Sequence, residues 1–185
     1  MITKIFKKTF LFVAVSIFSF NLHAADWTMA SGYPKSNFHT QNIIKFIDDV
    51  KSTTSVNINL NPNDTLIKLD AIKTSLQRGQ IPIGEIRLGI YGNEDPMYIL
   101  AGLPFIAPDY SSAWLLKDVQ MEYLQEKFDK KGLMILYTAP WPGQGFYTKF
   151  PVNSVSDFSG KKLRIYSTAT QLSLIHISEP TRQSL

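Results

Sequence analysis

The 185 residues contain no cysteine. Disulfides, thiol nucleophiles and thiolate metal sites are excluded, and so is a cysteine-linked lipid anchor behind an export signal. Histidine is scarce too, at three residues, and no cluster of His, Asp and Glu has the spacing of a zinc or calcium site. The chain lacks a Gly-x-Ser-x-Gly elbow, a His-Glu-x-x-His helix and a phosphate-cradling glycine loop, which removes the best-marked hydrolase and nucleotide-binding chemistries. Nothing points to a cofactor. No segment repeats and none is of low complexity, which argues against a fibrous or adhesive role.

Long apolar runs are equally few. The first, Phe10 to Leu22, follows Lys4, Lys7 and Lys8 and leads into His23-Ala24-Ala25. A basic head, a short apolar run and a small-residue exit make a secretory signal, and the run falls short of the roughly 20 apolar residues of a membrane span. Residues 1–24 therefore read as a cleavable signal peptide, cut after Ala24 or Ala25. The formal net charge is +4, and losing the three lysines of that head leaves the mature protein with about +1 and no electrostatic footprint for nucleic acid. Hydrophobic content of 44% and charged content of 18% are those of an ordinary globular domain.

What is present is an alternation of strand and helix. Trp27 to Ser31 reads as a strand, Thr40 to Thr53 as a helix with Ile43, Ile44, Phe46, Ile47 and Val50 on one face, and Val56 to Leu60 as a second strand. Asp64 is positioned to cap a helix that Gly79 stops after Arg78, and Ile81 to Ile86 follows as a third strand. Asp109 or Ser111 caps a helix over Ala113 to Lys131 closed by Gly132, and Leu133 to Thr138 reads as a buried strand. Such a series argues for an α/β fold with parallel-rich sheets flanked by helices. With the first strand between the second and third, the crevice opens at the carboxyl ends of the first and third.

The loops at that edge are Gly32 to Thr40 and Gly84 to Pro96. They carry Tyr33, Asn37 and His39 on one side and Glu85, Tyr91 and Asn93 on the other, all suited to a small polar guest. Asn37 reads equally as a helix cap, His39 as a helix-start residue, and Asn93 to Pro96 as a turn. Glu85 ends an apolar strand, where a carboxylate has to be solvated, paired or turned to a cleft. A further stretch, Ala139 to Arg164, joins an aromatic turn bearing Trp141, Phe146 and Tyr147 to a short strand-like run, Lys162 to Tyr166, that presents Arg164. An arginine so placed can clamp a carboxylate through two parallel hydrogen bonds.

The runs Phe-Tyr-Thr-Lys at 146–149 and Pro-Val-Asn-Ser-Val-Ser-Asp-Phe-Ser-Gly-Lys-Lys-Leu-Arg at 151–164 resemble the middle of the DctP-type solute-binding proteins of tripartite ATP-independent periplasmic (TRAP) transporters. Gly79 to Glu85 and Leu103-Pro104-Phe105 are similar to the same family's strand into the cleft and its following segment, and Tyr33 to His39 to a cleft loop of one subgroup. The resemblance implies a two-lobed periplasmic binding fold of nearly twice this length, capturing a small organic acid and passing it to integral membrane TRAP transporter subunits. It implies that Arg164 binds the substrate carboxylate, that Glu85 lines the cleft and that Gln144 stands where many relatives have a second arginine. On this reading 25–138 forms most of the first lobe and 139–171 the crossing into an incomplete second lobe. Residues 172–185, beginning LSLIHISEPTRQ, resemble translated library adapter and read as a non-native tail.

Two other readings stay open at this point: a binding protein for an ATP-driven transporter, and an exported hydrolase or isomerase using His39, Glu85, Asp95 or Asp109 in acid-base chemistry. The signal peptide carries its own test. Intact mass of the exported protein is expected to place the mature N-terminus at Ala25 or Asp26; a mass that retains residues 1–24 makes the segment an anchor instead.

Overall fold

A computed structural model describes residues 25–103, 105–143, 145–162 and 164. The predicted signal peptide, Gln144 and the predicted non-native tail lie outside them. Three parallel strands, β1 (Asp26–Ala30), β2 (Asn57–Asn61) and β3 (Ile83–Gly84), form a sheet of order β2-β1-β3, so the first strand is central as predicted. Register pairs Trp27 with Ile58, Met29 with Leu60, and Met29 with Ile83 on the other side.

Helices cover both faces. Successive residues of a strand point to opposite sides, and Met29 and Ala30 divide the core accordingly. Met29 packs with Ile43, Ile58 and Ile83 under helix α1 (Phe38–Thr53), whose Phe46, Ile47 and Val50 close the cluster. Ala30 packs with Ile72 and Ile81 under the short helix α2 (Ile72–Gln77). A third core joins helix α3 (Tyr110–Asp129), through Leu124 and Phe128, to Tyr91 and Tyr98 from two 3-10 helices, Leu88–Tyr91 and Pro96–Gly102.

Between the second and third cores lies a buried cation. Lys73 of α2 is 1% exposed, pairs with Glu94, and places its ammonium 4.4 Å from the ring centre of Tyr91 and 5.6 Å from that of Tyr98. Lys131, just past α3, binds the same Glu94 oxygen at 2.6 Å. Burial lowers the Lys73 pKa, and the Glu94 hydrogen bond pulls it back up.

Several elements differ from their sequence reading. The helix expected from Asp64 begins only at Ile72: Asn63 and Asp64 both have φ of 58°, in the left-handed region that a helix cannot continue, and Asp64 Oδ1 accepts from the Leu69 amide at 2.9 Å to close a turn. The third strand shrinks to two residues. Leu133 to Thr138 forms no ladder among the described residues, because a strand exists only where a neighbour supplies its hydrogen bonds; Leu133 and Ile135 pack on the third core instead. Lys162 and Arg164 are likewise outside any strand, while the rest of the run expected as strand, Leu163, Ile165 and Tyr166, lies outside the described residues.

One close approach ties these layers to the loops above them. A Cβ on Gly32 falls 2.6 Å from Leu69 Cβ, an atom fixed to the backbone. Gly32→Ala is therefore expected to cost about 1–3 kcal/mol by forcing the two loops apart. An unchanged urea midpoint would show that the segment around Leu69 yields freely.

Candidate functional site

Because β1, β2 and β3 are parallel, their carboxyl ends lie along one edge, and Ser31 gathers all three exits there. Its amide donates to Asn61 O at 3.0 Å, its carbonyl accepts from Asp64 N at 3.2 Å, and its hydroxyl donates to the Glu85 carboxylate. The Tyr33 amide in turn donates to the Ser31 hydroxyl oxygen at 3.3 Å. Ser31 is fully buried. Glu85, just beyond β3, is half-buried, and desolvation raises its pKa against the lowering effect of the Ser31 hydrogen bond.

Tyr33 and His39 supply the second layer. Asn37 caps α1 by accepting from the His39 amide at 2.9 Å, which fixes the first helical turn. His39 is 6% exposed, and Trp141 from the distant aromatic turn meets it edge-on at 4.4 Å between ring centres. Trp141 also meets Tyr33 at 5.1 Å and Phe38 at 5.3 Å. Inside this aromatic wall two polar atoms, Tyr33 Oη and His39 Nε2, are buried without a hydrogen-bond partner. Leaving such groups unmade costs on the order of 1–3 kcal/mol each, so they mark positions where a guest or water has something to bind. Burial lowers the His39 pKa and raises that of Tyr33.

The remaining predicted residues are spread out. Tyr91 is buried in the third core, and its hydroxyl donates to the carbonyls of Leu69 and Asp70 at 3.3 Å, so its polar end is occupied away from the aromatic wall. Asn93 is exposed in the turn before Asp95. Phe146 packs on Phe158 at 4.8 Å, and Tyr147 is 99% exposed, so neither joins Trp141. Arg164 is exposed, and Gln144 falls outside the described residues. Asp95 and Asp109 cap helices, accepting from Met97 N at 3.0 Å and Ser112 N at 2.7 Å; Asp95 also holds Tyr123 and Lys127.

Two participants were missed in the sequence. Ser31 reads there as the last residue of a strand. Arg87 lies two positions beyond Glu85, a spacing that puts both side chains on one side of an extended segment, yet in a loop it passes for an ordinary surface charge. Its positive charge lowers the Tyr33 phenol pKa against the rise that burial causes. Among the described residues it forms no ion pair. Arg87 also lines a cavity of about 310 Å³ with Asp64, Lys68, Leu69, Asp70 and Ile90.

A model of the bacterial extracellular solute-binding proteins, family 7, matches residues 29–179. The chain belongs to this DctP family. Among solved structures, DctP6 of Bordetella pertussis, an extracytoplasmic solute receptor binding pyroglutamic acid, is 37% identical over 83% of this chain with a TM-score of 0.78. DctP7 of the same organism, also binding pyroglutamic acid, is 35% identical over 83% with a TM-score of 0.77. A marine metagenome TRAP solute-binding protein specific for pyroglutamate is 36% identical over 80% with a TM-score of 0.72. This DctP chain spans about half the length of these structures, 52%, 52% and 49% respectively. No curated protein sequence matches it.

Burial of the neutral imidazole has a thermodynamic signature. A histidine whose pKa is lowered on folding contributes stability that is complete above its ordinary value of 6.5 and lost as pH falls from there through the lowered folded value. The full-length protein is therefore expected to lose melting temperature between pH 7.5 and 5, and His39→Gln to lose less. Parallel pH profiles for the two would place the His39 ring in water.

Proposed function

We propose that this chain is the larger part of the first lobe and the beginning of the second lobe of a periplasmic receptor. The receptor captures a small organic acid between its lobes and delivers it to an ion-gradient-driven TRAP transporter complex in the membrane. The observation that carries this reading is the aromatic wall of Trp141, Tyr33, Phe38 and His39 at the carboxyl edge of the sheet, enclosing two buried polar atoms that have no protein partner. Such an edge is where open parallel sheets receive ligands. A pocket of apolar faces with a few convergent polar groups is the usual form of a small-molecule site.

The three relatives named above, each at least 35% identical, are described as binding pyroglutamic acid or pyroglutamate. That supports a small cyclic carboxylate as the guest here. Arg164 would take the carboxylate in the closed state, approaching from the second lobe, with Gln144 as a neutral contact beside it. Export through the signal peptide at 1–24 puts the receptor on the same side of the membrane as its guest.

The reading is tested on the full-length protein by thermal shift against a panel of organic acids that includes pyroglutamate. A ligand that binds only the folded state raises the melting temperature by mass action. Pyroglutamate is expected to give a clear shift, and Arg164→Ala to lose roughly 2–5 kcal/mol of affinity by calorimetry. A folded, ligand-free protein that responds to no acid, or an Arg164→Ala variant of unchanged affinity, contradicts the assignment.

A further inference from the structure

Tyr91 reads in the sequence as a contact of the guest, and the fold gives it another place. Its ring is buried in the third core, while its hydroxyl donates to the carbonyls of Leu69 and Asp70, in the loop between β2 and α2, each at 3.3 Å. One hydrogen shared between two acceptors accounts for two equal and long contacts. Among the described residues neither carbonyl has another protein donor. The ring itself is gripped at its face. The Lys73 ammonium lies 4.4 Å from its centre and is paired with Glu94, which also binds Lys131. A ring so held cannot swing away without uncovering a buried charge, so its hydroxyl is delivered to one place.

The loop that Tyr91 holds is tied in turn to the segment that carries the aromatic wall. The Leu69 amide donates to Asp64 Oδ1 at 2.9 Å, the Asp64 amide to Ser31 O at 3.2 Å, and the Asn63 amide to Tyr33 O at 2.8 Å. Gly32 lies so close to Leu69 that a Cβ there would meet the Leu69 Cβ at 2.6 Å. Tyr33, which meets Trp141 edge-on, follows directly. A continuous set of contacts thus runs from Lys73 through the Tyr91 hydroxyl and Leu69 to Gly32 and Tyr33. We propose that Tyr91 is a positioning residue of the site: its hydroxyl, steadied by Lys73, sets the 62–70 loop, and that loop sets the backbone of Gly32 and Tyr33. A site whose competent form is only partly populated binds more weakly by that fraction. Loosening the loop therefore lowers affinity without removing any contact to the guest. The consequence for binding rests on the reading of the chain as an organic-acid receptor; the hold on the loop does not.

Tyr91→Phe in the full-length protein removes the hydroxyl and keeps the ring over Lys73. In the unliganded variant, hydrogen exchange is expected to quicken roughly tenfold or more in peptides covering 62–70, while peptides of β1 and α1 keep their rates. A residue that merely added stability would quicken all of them together. Calorimetry with pyroglutamate as the probe is expected to show an affinity lowered roughly tenfold, in proportion to the competent fraction lost. Unchanged exchange across 62–70 overturns the inference, and so does a rise shared equally by β1 and α1. Faster exchange in the loop with pyroglutamate bound as tightly as before overturns the part of Tyr91 in the site. If pyroglutamate does not bind the unaltered protein, the receptor reading fails on its own account, and the exchange rates alone decide whether Tyr91 holds the loop.

Discussion

The Ser31 side chain, donating to Glu85, is the constraint on which the upper edge of the sheet depends. Parallel strands end together, and their exits carry backbone groups that the ladder no longer satisfies. Ser31 takes up those of β2 through its own amide and carbonyl, and it reaches the segment after β3 through its hydroxyl. The loops of three separate strands are thereby held to one buried residue. That fixes where the Tyr33 backbone and the Glu85 carboxylate stand, and on the receptor reading proposed above such pre-set geometry lets a small site bind without a large ordering cost.

Holding a site ready in this way sets the polar edge against the rest of the fold. Two unpartnered polar atoms and a half-buried carboxylate destabilise the edge. The opposing contribution comes from the two cores beneath, one on either face of β1, where Met29, Ile43, Ile58 and Ile83 lie under α1 and Ala30, Ile72 and Ile81 under α2. The alternation of Met29 and Ala30 is the small sequence feature that allows both. A central strand packed on its two faces resists sliding, so the residues at its carboxyl end inherit its rigidity.

Legibility in the sequence followed the range of the forces involved. Helices α1 and α3 could be read because their determinants are local: Asn37 and Asp109 as caps and a heptad-like apolar face on α1. The alternation of elements made a parallel sheet legible, and the order β2-β1-β3 agrees with the arrangement assumed from doubly wound sheets in general. What escaped was whatever needed a neighbour. Asn63 and Asp64 are residue types that tolerate the left-handed region, but what selects it here is the set of contacts to Ser31 and Leu69. Leu133 to Thr138 has the composition of a strand but no ladder, and Arg87 gains interest only from its nearness to Tyr33. Asn37 and His39, each left with two roles by the sequence, are joined by one hydrogen bond, from the His39 amide to the capping Asn37 side chain.

Lys73 carries a consequence for the medium in which such a fold works. It joins α2 to the third core through Glu94, with Lys131 on the same oxygen and two tyrosine rings beneath the ammonium. Dissolved ions weaken charge pairs by gathering around them, and they cannot gather around a group that water does not reach. The Lys73 end of the join is thus shielded from salt, whereas Glu94 and Lys131, each about a third exposed, are not. At high salt the seam between the cores therefore leans more on the buried ammonium over the Tyr91 and Tyr98 rings, while an open pair such as Lys130 with Glu126 fades.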